Sequence, residues 1–299
     1  SKGRLIRAAL TPPRMDFEVS DIDYEQYSNR QLAAIPLAIL GLALLVIAAW
    51  YVMTGVPVDL GLAFTGGTEV RFTADDDLSE VRDTFSGMEF DSIQPAAGGG
   101  TFILTTQAED TAAIESAATD AGYDIEQVQE RSASFGASAQ QQAILGLVVA
   151  FAGMSLLVFG LFRTFVPSIA VVVSAFSDIM IPLALMNVFG IQLTLGAVAA
   201  LLMLIGYSVD SDILLNNHIL RRRGGFYESA ERAMRTGITM TLTSIAAMVV
   251  MTIVATFFGI PLLPEIGLIL VFGLTADLMN TYMLNMSLLR YYKYEGVAK

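Results

Sequence analysis

Long runs of apolar residues recur along this chain. Six of them approach the roughly 20 residues that an α-helix needs to cross a bilayer. They are Gln31–Met53, Ala143–Phe162, Val166–Phe189, Leu193–Leu215, Gly237–Phe258 and Ile266–Leu289. The last three also contain polar residues, which indicates that parts of them face protein or water. The pattern predicts an α-helical polytopic membrane protein with six transmembrane helices (31–53, then five more within 142–289).

Segment 54–141 interrupts the apolar pattern and has the features of a small folded domain. It alternates short runs with the period of a strand and runs with the period of a helix. In order, these runs are TEVRFTA (68–74), LSEVRDTFSG (78–87), FDSIQP (90–95), TFILTTQ (101–107), EDTAAIESAATDAG (109–122) and YDIEQVQE (123–130). The order β-α-β-β-α-β predicts a ferredoxin-like α+β domain between spans one and two. Glycines 98–100 suit the hairpin turn.

Charge predicts how the chain is oriented. Fourteen of its 17 Lys and Arg residues lie on one side of the predicted spans, and that side is expected to be cytoplasmic. The N-terminal segment (1–30) and the tail (290–299) both lie there, so both termini are predicted to be cytoplasmic, in a multi-pass protein of the cell membrane. Segment 54–141 is then extracytoplasmic.

Composition supports the membrane assignment and excludes other classes. The chain is 54% hydrophobic, with a mean hydropathy of +0.59 and no cysteine. The absence of cysteine excludes disulfides and thiolate sites, and we expect no metal and no cofactor. Residues 54–140 hold sixteen acidic residues and three Arg, a net charge of −13. This acidic surface argues against binding to nucleic acid and is compatible with a high-salt source.

Four aspartates interrupt the predicted spans: Asp178, Asp210, Asp212 and Asp277. A charged Asp at the centre of a transmembrane helix costs on the order of 2.5–3.5 kcal/mol on insertion scales, and no Lys or Arg lies within these runs. Such carboxyl groups usually face a bundle interior or water and exchange protons. We therefore predict that the four aspartates form a proton or ion relay.

Asp210 and Asp212 are about 200° apart around a helix, so they point in different directions. Asp210 shares a face with Gly206, where another helix can approach closely. We predict that Asp210 is the buried relay group and that Asp212, which shares a face with Ser208 and Asn216, lines a wet vestibule. The alternative is that hydroxyl and amide groups of spans five and six bond to these acids and only lock the helices together.

Several segments resemble the SecF branch of the SecD/SecF family, and archaeal members in particular. They are GLAFTGGTEVRF (61–72), FRTFVPSIAVVVSAFSDIMI (162–181), IGYSVDSDILL (205–215) and FGLTADLMNTYMLN (272–285). Phe64, Gly66 and Gly67 match the motif that opens the family's external domain. Gly206, Tyr207 and Ser208 match its span-four motif, and Asp178 matches its acidic position in span three.

The chain departs from bacterial SecF after the span-four motif. There, Asp210 and Ser211 stand where bacterial members have Asn and Asp. At this point the chain is similar to SecD, whose essential Asp aligns with Asp210.

The resemblance implies half of an RND-like bundle that pairs with a SecD-like subunit in a twelve-span complex. That complex would use a proton or sodium gradient and work with the Sec translocation channel on unfolded exported polypeptide, surrounded by membrane lipids. No enzymatic activity is implied. One alternative is a structural partner of SecD that moves no ions, and another is a small-molecule or lipid exporter of the RND superfamily, although the external segment is short for one.

An intramembrane aspartyl protease would also use two aspartates. It is disfavoured because Ser208, not Asp, follows Tyr207 and because no Pro-Ala-Leu segment occurs.

Overall fold

A computed structural model describes residues 26–95, 100–107, 111–221, 225–258, 260 and 262–296. Within these residues, six helices are long and apolar enough to cross a membrane, which confirms the predicted number. Span one is Asn29–Thr54, span two Ala133–Phe162, span three Phe165–Phe189, span four Leu195–Arg221, span five Phe226–Phe257 and span six Leu263–Tyr294. Most of the predicted N-terminal segment (1–30) lies outside the described residues.

Span five begins well before the apolar run that predicted it, at Phe226 rather than Gly237. Its first turns carry two ion pairs between residues four apart. Arg232 lies 2.5 Å from Glu228, and Arg235 lies 3.4 Å from Glu231. Such pairs support a helix in water. A count of apolar residues does not detect this charged extension.

Span six is not a uniform α-helix. It is α-helical over Leu263–Met279, π-helical over Asn280–Asn285, α-helical again over Met286–Tyr291 and π-helical over Tyr292–Gly296. A π-helical stretch inside an α-helix shifts the side chains after it and is frequent at functional sites. The first of these stretches carries several buried polar residues.

Spans three, four and six form the centre of the bundle. Between 56% and 61% of the apolar window of each is buried, against 11–22% for spans one, two and five. Leu201, Leu204 and Ile269 belong to the apolar cluster that these three spans share. At Gly273 of span six, a Cβ would lie only 2.3 Å from the side chain of Leu204, so the glycine lets spans four and six approach closely. Spans one, two and five therefore lie at the periphery.

The domain between spans one and two (54–141) has the predicted ferredoxin-like topology, and we call it the external domain after its predicted side of the membrane. Its elements are α1 Leu62–Thr65, β1 Gly67–Thr73, α2 Leu78–Thr84, β2 Ser92–Pro95, β3 Thr101–Thr106, α3 Ala112–Asp120 and β4 Asp124–Arg131. The sheet order is β2-β3-β1-β4, and every neighbouring pair is antiparallel. The predicted β2–β3 hairpin is confirmed by this pairing, while most of the glycine turn lies outside the described residues.

Successive side chains of β1 point to opposite faces of the sheet and alternate in burial. Val70 and Phe72 are fully buried on the face that α2 and α3 cover. The Phe72 ring lies 5.4 Å, between centroids, from those of Phe85 and Tyr123. The opposite face carries Glu69 and Arg71 and is turned toward the bundle. The domain thus has its own core and presents a polar face to the membrane spans.

Candidate functional site

Three of the four predicted aspartates meet in the centre of the bundle. Asp178 of span three, Asp212 of span four and Asp277 of span six are 1%, 0% and 2% exposed. Each lies well inside its helix, away from both ends. We call these three residues the carboxylate cluster.

Asp178 links span three to both other central spans. Ser208 Oγ of span four donates a hydrogen bond of 2.6 Å to Asp178 Oδ2. Asn280 Nδ2 of span six donates one of 2.6 Å to Asp178 Oδ1. Both carboxyl oxygens of Asp178 are therefore satisfied, as a buried carboxyl requires.

Asp212 and Asp277 share one donor, Thr281. Ser211 Oγ lies 2.8 Å and 3.0 Å from the two oxygens of Asp277. Thr281 Oγ1 lies 2.8 Å from Asp212 Oδ1 and 3.3 Å from Asp277 Oδ1, and Asn285 Nδ2 lies 2.8 Å from Asp212 Oδ1. A hydroxyl has one hydrogen, so Thr281 donates to only one of these two carboxyl groups at a time.

The cluster has no fixed positive partner. The ion pairs found in the described parts of the chain all lie elsewhere, in the external domain and at the start of span five. Three negative charges buried together in the centre of the bundle would repel one another strongly in a medium of low dielectric constant. At least one charge must therefore be neutralised by a proton or a bound cation. The site can therefore bind and release a proton or a cation.

The prediction that Asp210 is buried and that Asp212 faces water is wrong. The structure shows the reverse, with Asp212 buried and Asp210 exposed. Asp210 is exposed on the outer surface of this chain, beside Tyr207, which is 39% exposed. At Gly206 a Cβ would meet nothing within 4 Å, so no helix of this chain approaches there. Asp212 is fully buried and lines no wet vestibule.

The reason lies in the rotation of span four about its axis. The two aspartates do point apart, as the 200° argument requires. However, the stripe that faces spans three and six is Ser208, Ser211, Asp212 and Asn216, each at most 2% exposed. Asp210 therefore belongs to the opposite, outer face.

In the alternative interpretation of the sequence, hydroxyl and amide groups of spans five and six bond to the aspartates. The contacts from span six are confirmed for Asn280, Thr281 and Asn285. In span five, Thr239 and Thr243 instead donate to carbonyl oxygens of their own helix, at 2.7 Å each. Peripheral span five thus contributes none of the cluster's recorded hydrogen bonds among the described residues.

Ser174 of span three and Ser211 of span four are buried at the cluster, and neither was predicted from the sequence. Their spacing carried the signal. Ser174 lies four residues before Asp178, and Ser211 lies three residues after Ser208. Polar residues three and four apart share one face of a helix. Following such stripes, rather than acidic residues alone, would have found them.

The predicted domain-junction motif is a place where backbones approach closely. Phe64 is buried, and Gly66 and Gly67 have φ angles of 74° and 111°. A Cβ at Gly67 would lie 2.5 Å from the carbonyl oxygen of Thr106, and one at Gly136 would lie 2.7 Å from that of Phe64. The junction thus requires glycine both for backbone conformation and for space.

Residues 57–61, which we call the strap, bind the external domain to the bundle. Gly61 N donates to Leu193 O at 2.9 Å, and Leu193 N donates to Asp59 O at 2.6 Å. Asn187 Nδ2 of span three donates to Pro57 O at 2.9 Å. Leu193 lies in the loop that joins spans three and four. The strap therefore contacts the end of span three, which carries Asp178, and the loop that leads into span four, which carries Asp212.

A cleft of about 370 Å³ separates the polar face of the sheet from the external ends of spans four and six. Its lining includes Glu69 and Arg71 of the sheet and Thr194 and Glu265 of the bundle. Burial raises the pKa of Glu69, an effect that neighbouring Arg71 partly offsets. The domain and the bundle thus face each other here across a mixture of polar and apolar side chains.

Comparison with known proteins gives consistent matches. A family model described as the C-terminal part of the protein-export membrane proteins SecD/SecF matches residues 112–295. The Protein-export membrane protein SecF of Haloferax volcanii is 63% identical over 287 residues, which cover 95% of this chain and 100% of that protein. The SecF protein of Haloquadratum walsbyi is 59% identical over 292 residues, covering 95% and 99% of the two chains.

Among solved structures, the fold resembles that of SecDF from Thermus thermophilus, described as a translocon-associated membrane protein. The TM-score is 0.74 at 18% identity, and the match covers 98% of this chain and 41% of that chain. The present chain thus spans well under half of SecDF. The match confirms the six-span fold with a small α+β domain between spans one and two.

The hydrogen bonds of the cluster predict a difference between two threonines of span six. Thr281→Val removes the hydroxyl that reaches Asp212 and Asp277, and should cost about 1–3 kcal/mol because it removes a hydrogen bond to a buried carboxyl group. Thr275→Val is the matched control, since the exposed Thr275 bonds only to its own helix, at Val271 O. Thermal unfolding of the purified variants measures both. Equal stability of the two variants would contradict the role given to Thr281.

Proposed function

This chain belongs to the SecD/SecF family of protein-export membrane proteins, and we propose that it is an accessory subunit of the Sec translocation machinery that uses an ion gradient to promote export. The observation that carries this proposal is the carboxylate cluster: three buried carboxyl groups in the central spans, with no fixed cation beside them. The chain would catalyse no chemical reaction of its own.

The ion would act by changing the charge of the cluster. When a proton or cation neutralises one carboxylate, the repulsion within the cluster falls. The shared donor Thr281 can then redistribute its bonds between Asp212 and Asp277. Because the hydrogen bonds of the cluster connect spans three, four and six, a change of charge alters how the three helices pack. An intramembrane carboxyl at such a position is a functional site by default.

The strap supplies a route from the cluster to the external domain. It is hydrogen-bonded to Asn187 at the end of span three and to Leu193 in the loop before span four. A shift of these spans therefore pulls on the strap, and the strap continues directly into α1 and β1. The cleft between the domain and the bundle leaves room for the domain to move. In this proposal, the moving domain helps draw unfolded polypeptide away from the Sec channel.

A SecD-like subunit would complete the bundle. This chain corresponds to 41% of the longer SecDF chain, and spans two and five bury only 11% of their apolar windows within it. Asp210 lies exposed halfway along span four, where lipid contact would cost on the order of 2.5–3.5 kcal/mol. A partner helix that offers a hydrogen-bond donor to Asp210 would remove that cost. The close approach that Gly206 permits is then an approach between subunits.

The charge distribution supports an external position for the domain and cytoplasmic termini in the cell membrane. A cysteine at exposed Asp75 should react with an impermeant thiol reagent added to intact cells. A cysteine at exposed Glu231, in the cytoplasmic extension of span five, should react only after lysis. The chain has no native cysteine, so no background labelling arises. The reverse labelling pattern would show that the protein has the opposite orientation in the membrane.

The central test replaces one carboxyl group by its amide. Asp212→Asn keeps the size of the side chain but removes the charge that an ion neutralises, so gradient-dependent export should be lost while assembly is kept. Asp210→Asn should cause a smaller loss, because an amide still bonds to a partner helix. Export of a secreted reporter is measured in a strain that depends on each variant, with subunit levels checked by blotting.

The same experiment separates ion use from a purely structural role. If Asp212→Asn exports normally, the cluster serves only to pack helices, and the chain is a structural partner of SecD. If neither variant assembles, reporter export is compared with the Thr281→Val variant, which retains all three carboxyl groups. Loss of assembly with Asp212→Asn and full export with Thr281→Val would also argue for a structural role.

A further inference from the structure

The surroundings of Asp212 contain four buried oxygen atoms without a hydrogen-bond partner in the described part of the chain. They are Asp212 Oδ2, Ser174 Oγ, Asn216 Oδ1 and Asn285 Oδ1. All four side chains belong to fully buried residues. Buried polar atoms are nearly always bonded, and each one left unpaired is costly. Four around one carboxyl group therefore call for a specific explanation.

The two amide groups are oriented so that their oxygens remain available. Asn285 Nδ2 donates to Asp212 Oδ1 at 2.8 Å, and Asn216 Nδ2 donates to the backbone oxygen of Asp212 at 2.9 Å. Rotating either amide by 180° would place oxygen against oxygen. The hydrogen bonds thus fix the nitrogens on Asp212 and leave Asn216 Oδ1 and Asn285 Oδ1 as unpaired acceptors.

All four oxygens belong to one locus. Asn285 is bonded directly to the carboxyl of Asp212, and Asn216 lies one helical turn further along span four. Ser174 of span three is close enough to the Asp212 carboxyl to interact with it, although the two do not form a regular hydrogen bond. The locus therefore draws oxygens from spans three, four and six. Asn285 is the last residue of the π-helical stretch.

The chemistry of these atoms favours a cation over a proton. Three of the four atoms are pure acceptors, and only the Ser174 hydroxyl has a hydrogen to donate. One proton on Asp212 would satisfy at most one further acceptor. A hard cation is bound by carboxylate, amide and hydroxyl oxygens together and would satisfy all four.

The charge of the locus favours a monovalent ion. One carboxylate, Asp212, contributes its free oxygen, and the other atoms are neutral. Among the described residues, no group of three His, Cys, Asp or Glu side chains is placed to hold a metal ion. A divalent or transition-metal site is therefore disfavoured.

We propose that an alkali-metal cation binds at Asp212, held by Asp212 Oδ2, Ser174 Oγ, Asn216 Oδ1 and Asn285 Oδ1. The inference rests on the proposed function, because it identifies the ion that neutralises the carboxylate cluster. Binding would join spans three, four and six through one ion. Release would leave the Asp212 charge exposed to the other two carboxyl groups.

Ser174→Ala is the most informative variant, because the Ser174 hydroxyl interacts with the Asp212 carboxyl without forming a regular hydrogen bond. If the hydroxyl binds no cation, its removal should change stability by the same amount at every salt composition. If it coordinates a cation, affinity should fall on the order of 10- to 100-fold, as for other losses around metal sites. Ser168→Ala is the matched control. Ser168 is also fully buried in span three, but it donates to Thr164 O at 2.7 Å, away from the cluster.

The experiment measures the unfolding temperature of the full chain in lipid nanodiscs. NaCl and KCl are each titrated against choline chloride at constant ionic strength. The wild type and Ser168→Ala should be stabilised with saturation by NaCl or KCl, since a ligand that binds the native state raises its stability. Ser174→Ala should need about 10-fold or more of the same ion, and Asp212→Asn should not respond. The two salts identify the ion.

Three results would overturn the cation site. They are no saturable effect of either salt on the wild type, an equal response of all variants, or stabilisation by acid in place of the salts. The last would identify a proton as the ion and leave the proposed function intact. Conversely, saturable binding combined with normal export by Asp212→Asn would keep the site and overturn the proposed function.

Discussion

The burial of three carboxyl groups in the centre of a membrane bundle is the constraint on which this structure depends. In the hydrocarbon interior, water cannot satisfy them, so the helices must. Ser208, Thr281 and Asn280 each reach across from one span to an aspartate of another. Spans three, four and six are thereby fixed in both rotation and depth. The π-helical stretch of span six, which carries Asn280, Thr281 and Asn285, is part of the same solution.

Consequences of this constraint extend beyond the bundle. Spans three and four are connected by the loop that pairs with the strap, so the arrangement of the cluster reaches the external domain through a short chain of backbone bonds. Spans one, two and five carry few polar contacts to the centre and surround it. Asp210 is the one predicted aspartate that does not belong to the carboxylate cluster, and it lies on the outer face of span four. The second subunit proposed above would cover this carboxyl group and satisfy it.

Much of this architecture could be predicted from the sequence. Apolar runs gave the six spans, alternating runs gave the ferredoxin-like order, and intramembrane aspartates pointed to the site. The rotation of span four could not be obtained in this way. Asp210 and Asp212 each belong to a stripe that contains polar residues, and only contacts with spans three and six decide which stripe faces inward. The π-helical stretch was also invisible, since it depends on the bonds that Asn280 and Thr281 make. The charged start of span five was missed because ion pairs, not apolar residues, stabilise it.

The central claim is that the charge of the carboxylate cluster sets the position of the external domain. The most direct measurement is the distance between spin labels at Asp83 of the domain and Val250 of span five, in proteoliposomes that contain the assembled complex. The distance distribution should change when an ion gradient is imposed on the wild type. In the Asp212→Asn variant it should stay fixed. A gradient-dependent change of equal size in Asp212→Asn would contradict the account, as would a wild-type domain that does not move.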